Sequence, residues 1–116
     1  MTRATRDPIQ PAPPSCADLL KTLGEATRLH IVGVLFAGPR RVYEIGDELE
    51  IEQSLLSHHL RSLRKAGIVE SRRDGKSVVY SLAPGARVHG RGASQIDLGC
   101  CRVTFPPGPP PPSHES

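Results

Sequence analysis

The stretch QSLLSHHLRSLRKAGIVESRRDGKSVVYSL, residues 53–82, decides the reading of this chain. Leu56, Leu60 and Leu63 fall at i, i+4 and i+7, the interval of one buried helical face. The opposite face carries Gln53, Ser57, Arg61 and Arg64, with Ser54, His58 and Lys65 beside it. Gly67 stops the helix, as glycine does at a C-terminal cap. Ile68 and Val69 begin a strand, Arg72, Arg73, Asp74, Gly75 and Lys76 form a charged hairpin tip, and Val78, Val79, Tyr80 and Leu82 return. A polar helix followed by a basic β-hairpin is the plan of a winged helix-turn-helix. Its side chains can donate to base edges and phosphates.

Upstream, the pattern predicts three more helices. Ser15 can cap a first helix, Cys16–Leu23, with Ala17, Leu19, Leu20 and Leu23 as its apolar residues. Gly24 breaks it. A second helix starts at residue 25 or 26 and runs to 37, with Leu29, Val32, Leu35 and Phe36 at helical spacing and Ile31 and Val34 widening the stripe. So thick an apolar surface suits a central core helix, and Gly38-Pro39 ends it. A third helix, Val42–Leu49, turns Val42, Ile45 and Leu49 inward. The turn Glu50-Ile51-Glu52 joins it to a fourth helix, residues 53–66, completing a helix-turn-helix pair. After Leu82 the scattered glycines and Pro84 argue against helix, and IDLGCCRVTF, residues 96–105, reads as extended. Residues 86–105 are therefore expected to form a loop plus one or two short strands. The expected fold class is mainly α with a small β-hairpin.

Bulk properties narrow the possibilities. The 116 residues suffice for one domain. Residues 1–14 and 106–116 are proline-rich and poor in apolar groups, so they are expected as disordered tails around a folded unit at 15–105. With two Tyr, two Phe and no Trp, the core must be mostly aliphatic. No apolar run is long enough to span a membrane, and no apolar stretch follows the basic N-terminus, so a cytoplasmic protein is expected. The net charge of +3 is mild, but its distribution is not. Residues 53–82 hold six basic residues against Glu70 and Asp74, while Glu44, Asp47, Glu48, Glu50 and Glu52 cluster earlier. A segregated basic face is an electrostatic footprint for phosphate.

Cys16, Cys100 and Cys101 are the only cysteines. Three thiolates suit a soft thiophile such as trivalent arsenic, and also zinc or copper(I). The alternative is that they are small buried packing residues. Neighbouring side chains on a regular strand point to opposite faces, so one ion takes both Cys100 and Cys101 only if Gly99 lets the backbone bend. The odd count and the expected compartment argue against a simple disulfide scaffold. His58 is placed on the polar flank as a DNA contact. His59 is expected half-buried, and His30 as a structural histidine beside the core. Ser54 and Ser57 have histidines nearby, but on one helix and without a third orienting group, so catalysis is rejected.

The run Leu-Gly-Glu-x-Thr-Arg-Leu at residues 23–29, the Ser-x-His-Leu step at 57–60, the Leu-x-x-Ala-Gly close at 63–67 and the hairpin at 75–82 resemble the ArsR-type (arsenic-repressor-like) winged-helix regulators of bacteria. The likeness covers about residues 16–82. It implies a homodimeric repressor that binds an inverted repeat of double-stranded DNA and is released by a metal ion, a metalloid or a redox signal. The chain departs from that pattern in three ways. The third helix has no cysteine, the second has none either, and glycine and proline stand where a fifth helix would complete the dimer interface. The resulting expectation is a transcriptional regulator, with a protein-interaction module or a thiol-based redox or metal-handling protein as rivals. Gln53, Ser54, Ser57, His58 and Arg61 would meet the groove, and Arg64, Arg72, Arg73 and Lys76 the phosphates. No resident cofactor is required. Cys16, Cys100 and Cys101 would take arsenite or another thiophilic ion as a regulatory ligand.

Overall fold

A computed structural model describes residues 15–88 and 94–105. The two expected tails, residues 1–14 and 106–116, lie outside the described residues. The elements run α1 (Cys16–Leu23), α2 (Ala26–Leu35), β1 (Arg40–Arg41), α3 (Val42–Leu49), α4 (Gln53–Lys65), β2 (Val69–Asp74), β3 (Ser77–Leu82), β4 (Arg87–Val88), β5 (Ser94–Asp97) and β6 (Arg102–Phe105). They include two three-stranded antiparallel sheets, ordered β1-β3-β2 and β4-β5-β6.

The helix ends follow local chemistry. Ser15 Oγ accepts from the Asp18 N–H at 3.1 Å, and the Asp18 carboxylate accepts from the Ser15 N–H at 3.4 Å, a reciprocal capping box on α1. Glu25 caps α2 by accepting from the Arg28 N–H at 3.0 Å. α4 ends on Gly67 at φ +80°. There the Gly67 N–H donates to Arg64 O and the Ile68 N–H to Leu63 O, the bond pair of a Schellman close. Leu63 and Ile68 are both buried, which supplies the apolar contact such a close favours. The turn between α3 and α4 passes through Glu50 at φ +55°, a left-handed conformation for a residue that carries a Cβ.

The core is aliphatic, as expected. Ile31, Val32 and Leu35 of α2, Ile45 of α3 and Leu56, Leu60 and Leu63 of α4 meet Ile68, Val69 and Leu82 beneath the first sheet. Ile96 on β5 is fully buried in the same cluster, so the C-terminal sheet belongs to the body of the domain. That one side chain contributes on the order of 2 kcal/mol by leaving water. Phe105 of β6 meets Phe36 edge to face, with centroids 5.2 Å apart.

Four differences from the sequence expectation have physical causes. α2 stops at Leu35, because the Phe36 N–H is shared between the Val32 and Gly33 carbonyls and Ala37 and Gly38 then close onto carbonyls three residues back. β1 was not foreseen. Two residues have no periodicity of their own, and the strand exists through its pairing with β3. Among its described residues, the extended C-terminal segment holds three short strands rather than one or two. Finally, Leu29 is 37% exposed and His30 is also exposed, so neither is part of the core face of α2.

Candidate nucleic-acid interface and thiol cluster

α4 buries Leu56, His59, Leu60 and Leu63. That fixes its rotation and turns Gln53, Ser54, His58, Arg61 and Arg64 outward as exposed residues, with Ser57 half-buried at the edge. The Ser54 hydroxyl donates to the Glu52 carboxylate at 3.1 Å, so this residue is held by its neighbour at the helix entrance. Arg72, Arg73 and Lys76 are exposed on the hairpin. The hairpin closes through a two-residue turn, Gly75-Lys76, between the paired Asp74 and Ser77, with Gly75 at φ +66°.

Two contacts join hairpin and helices. Arg64 donates to Ser71 Oγ at 3.1 Å, tying the end of α4 to β2. Arg41 reaches from β1 to Asp74 at 3.0 Å, which neutralises the acidic residue at the tip. The sequence reading passed over Arg41 and its neighbour Arg40. The available signal was two adjacent arginines leading into a helix, with a lone carboxylate at the otherwise basic hairpin tip. It also passed over Leu55 and Tyr43, which stay 47% and 60% exposed on α4 and α3.

His59 is the buried polar residue beneath this face, 7% exposed. Arg28 Nε donates to His59 Nδ1 at 3.1 Å, and Arg28 Nη1 donates to Thr22 O at 3.2 Å. Burial lowers the His59 pKa from its ordinary 6.5, Glu25 at 3.8 Å opposes it, and the neighbouring Arg28 and His58 lower it further. The imidazole is therefore neutral, with Nδ1 as acceptor. The expected half-buried role becomes that of a joint between the α1–α2 corner and α4.

The three cysteines come together within one chain. Cys16 opens α1, and Cys100-Cys101 sits in the turn between β5 and β6. Gly99, at φ +91°, makes the bend that the sequence required. The Asp97 carboxylate accepts from the Gly99 N–H at 2.8 Å, and the Leu98 N–H donates to Cys101 O at 2.9 Å. All three sulfurs lie within 4.8 Å of one another. Cys16 and Cys100 are joined as a disulfide, and the Cys101 sulfur is free at 3.9 Å from both. One pair forms and one thiol remains, which is not the simple disulfide scaffold that the odd count argued against. Among the described residues, no helix is long and apolar enough to cross a membrane.

Residues 25–71 match the model of the family described as "Bacterial regulatory protein, arsR family". The chain is 40% identical over 78 residues to the "Biofilm growth-associated repressor" of Xylella fastidiosa, an alignment spanning 67% of this chain and 68% of that protein. It belongs to the ArsR family. This ArsR-family chain is also 39% identical over 82 residues to the "HTH-type transcriptional repressor SmtB" of Mycobacterium tuberculosis, over 66% of its own length and 61% of SmtB. It therefore spans less than two thirds of that relative. Among solved structures, it is similar to the homodimeric winged helix-turn-helix DNA-binding domain of Mb0332 from Mycobacterium bovis, at 33% identity and a TM-score of 0.56 over 58% of this chain and 62% of that one. The fold expected from residues 53–82 is thus the fold of the family. A family of regulatory proteins also agrees with a reading that found no catalytic constellation.

Proposed function

We propose that this ArsR-family chain is a transcriptional repressor that binds double-stranded operator DNA in the cytoplasm as a homodimer, and that its three cysteines govern release. The observation that carries the reading is the outward polar face of α4 held at a fixed offset from a basic hairpin. Gln53, Ser54, Ser57, His58 and Arg61 meet base edges in the major groove, while Arg64, Arg72, Arg73 and Lys76 serve phosphates. Residues 15–105 act as the folded unit between the two proline-rich tails. Dimerisation places two α4 helices on successive turns of an inverted repeat. Leu20, 44% exposed on α1, supplies apolar surface for it. The regulatory ligand is arsenite, or another thiophilic ion or oxidant that acts on Cys16, Cys100 and Cys101.

The test is binding to the DNA upstream of the chain's own coding sequence across a salt series. Arg61→Ala weakens specific binding by about 1–3 kcal/mol if it pairs with a base, and Lys76→Ala weakens binding to all duplexes and lowers the salt slope by about one unit. Unchanged affinity for specific and nonspecific duplexes after both substitutions refutes the docking mode. DNA binding without salt dependence favours a protein-interaction module instead. For the regulatory part, the triple Cys→Ser variant is assayed for release by arsenite or peroxide. Release equal to the parent's assigns the cysteines to packing.

A further inference from the structure

Among the described residues, His59 is the one polar side chain that is buried, and its Nδ1 has two partners of opposite kind within reach. Arg28 Nε donates to it at 3.1 Å, and Glu25 Oε1 lies 3.8 Å away. Both cannot hold Nδ1 at once. A neutral ring accepts from the guanidinium there, whereas a ring protonated at Nδ1 can only donate, and the carboxylate is its acceptor. Glu25 stands about 1 Å beyond the length of a charge-assisted hydrogen bond, about 2.7–2.9 Å. A small side-chain rotation closes that gap. A carboxylate has two oxygens, so Glu25 can take the ring on one and keep the α2 cap on the other. At that cap Oε1 accepts from the Arg28 N–H at 3.0 Å.

The two arrangements hold α4 differently. With a neutral ring, the guanidinium spans from the Thr22 carbonyl of α1 to His59 and ties α4 to the α1–α2 corner. With a protonated ring, that span is cut at its α4 end, and α4 is tied to the residue before α2. His58 is next to His59 in the chain, and the two rings meet edge to face with centroids 5.5 Å apart. A change of seat at His59 is therefore passed to an outward residue of α4. Glu25, Arg28 and His58 are the charged or titratable neighbours that act on the ring. The charged residues of α1, α3 and β2, which also pack against α4, are exposed. Burial disfavours the added proton, Glu25 favours it, and Arg28 and His58 disfavour it further, so the exchange belongs below the ordinary 6.5.

We propose that His59 is a proton switch: a proton taken from solvent at Nδ1 exchanges its Arg28 bond for one to Glu25 and re-seats α4, so that mild acid lowers the chain's preference for its operator. The switch involves none of the cysteines, and it rests on the docking of α4 proposed above. Its readout is preference rather than affinity. Added positive charge at His59, and at the exposed His58, attracts the phosphates of every duplex alike. The fit of α4 to base edges is what distinguishes one sequence from another. His59 is thus a positioning residue, and the proton acts through the helix that carries it.

The experiment uses the full chain, kept in reductant so that the thiols stay in one state. Its affinities for the duplex upstream of its own coding sequence and for a scrambled duplex are compared from about pH 7.5 to about 5.5, where exposed carboxylates stay ionised. The preference should fall roughly fivefold or more, the size of one weakened base contact. His59→Asn keeps an acceptor for Arg28 but takes no proton, so its preference should stay constant. Glu25→Gln keeps the cap and loses the charge that favours the proton, so the fall should move to lower pH. A second readout needs no DNA and no variant. The Arg28 Nε–H should give a solvent-protected NMR signal at neutral pH that vanishes as His59 titrates, and in His59→Asn it should persist. Lack of any preference at about pH 7.5 refutes the docking of α4 and this proposal with it. A parent preference as constant with pH as that of His59→Asn refutes the switch alone. So does an Arg28 signal that survives protonation of His59.

Discussion

Arg28 is the sharpest place to perturb the coupling between the N-terminal corner and α4, the helix proposed to face DNA. Its guanidinium donates to His59 Nδ1 on α4 and to the Thr22 carbonyl at the end of α1. Replacing it with Met keeps the aliphatic stem and deletes both donors. A hydrogen bond from a charged donor contributes about 1.5–3 kcal/mol, and leaving a buried acceptor unpaired costs about 1–3 kcal/mol. His59 Nδ1 is buried, but Arg28 itself is only half-buried, so the low end applies. Arg28→Met should therefore lower stability by about 1.5–2.5 kcal/mol, read as a drop in the urea midpoint at pH 8. The same pair predicts a pH dependence. The folded His59 pKa lies below its ordinary 6.5, because of burial first and then the charges of Arg28 and His58. Between the folded value and 6.5 the unfolded chain binds more protons, so stability rises with pH there. The contribution is complete above 6.5 and is lost as pH falls through the folded value. In Arg28→Met one lowering charge is gone and Glu25 remains, so the acid loss should be shallower. Urea curves for both proteins at pH 8, 7, 6 and about 5.5, where most exposed carboxylates stay ionised, measure it. A parent whose stability is as insensitive to this range as that of His59→Leu refutes the neutral-imidazole joint.

Three further outcomes follow from other parts of the fold. Reducing the Cys16–Cys100 bond, with its sequence separation of 84, releases loop entropy with a ceiling of about 4.5 kcal/mol. A loss of about 2–4 kcal/mol should appear in urea unfolding with and without reductant, and Cys16→Ser should show no further loss on reduction. Glu50→Gly relieves a left-handed residue at φ +55° and should raise the melting temperature, for a gain of up to about 1 kcal/mol. Leu20→Asp puts a charge on the exposed apolar residue of α1 and should shift sedimentation at micromolar concentration toward the monomer, with the circular dichroism unchanged.

Long periodic elements were legible from residues alone. The stripe through Leu56, Leu60 and Leu63 is local, and so were the capping box at Ser15 and the stop at Gly67, each of which acts within one helical turn. The outward set on α4 followed by rotation. Features made by distant pairing were not legible. β1 needs β3, forty residues on, and the Arg41–Asp74 contact exists only once they pair. Leu29 was misjudged because periodicity says that a helix face is apolar but not which neighbour covers it. The cysteines were half legible. The need for a bend at Gly99 could be stated, but the approach of Cys16 rests on burying Ile96 and on the stacking of Phe105, which no local pattern reveals.

If the hairpin docks on DNA as proposed, its bracing would set what kind of duplex the chain accepts. β3 pairs with β2 along its length and with β1 at Val79 and Tyr80, while Arg64 anchors β2 and Arg41 holds Asp74, so across the hairpin only Gly75 and Lys76 lack a paired residue. A stiff gauge of this kind cannot adjust its span to the duplex. The duplex must instead bring its backbone to the gauge, by narrowing a groove or bending a flexible step. The energy for that depends on base sequence even where no side chain touches a base. Operators should then be distinguished partly by their deformability between the half-sites, and loosening the brace with Arg41→Ala should flatten that preference while leaving the contacted bases as strongly chosen as before.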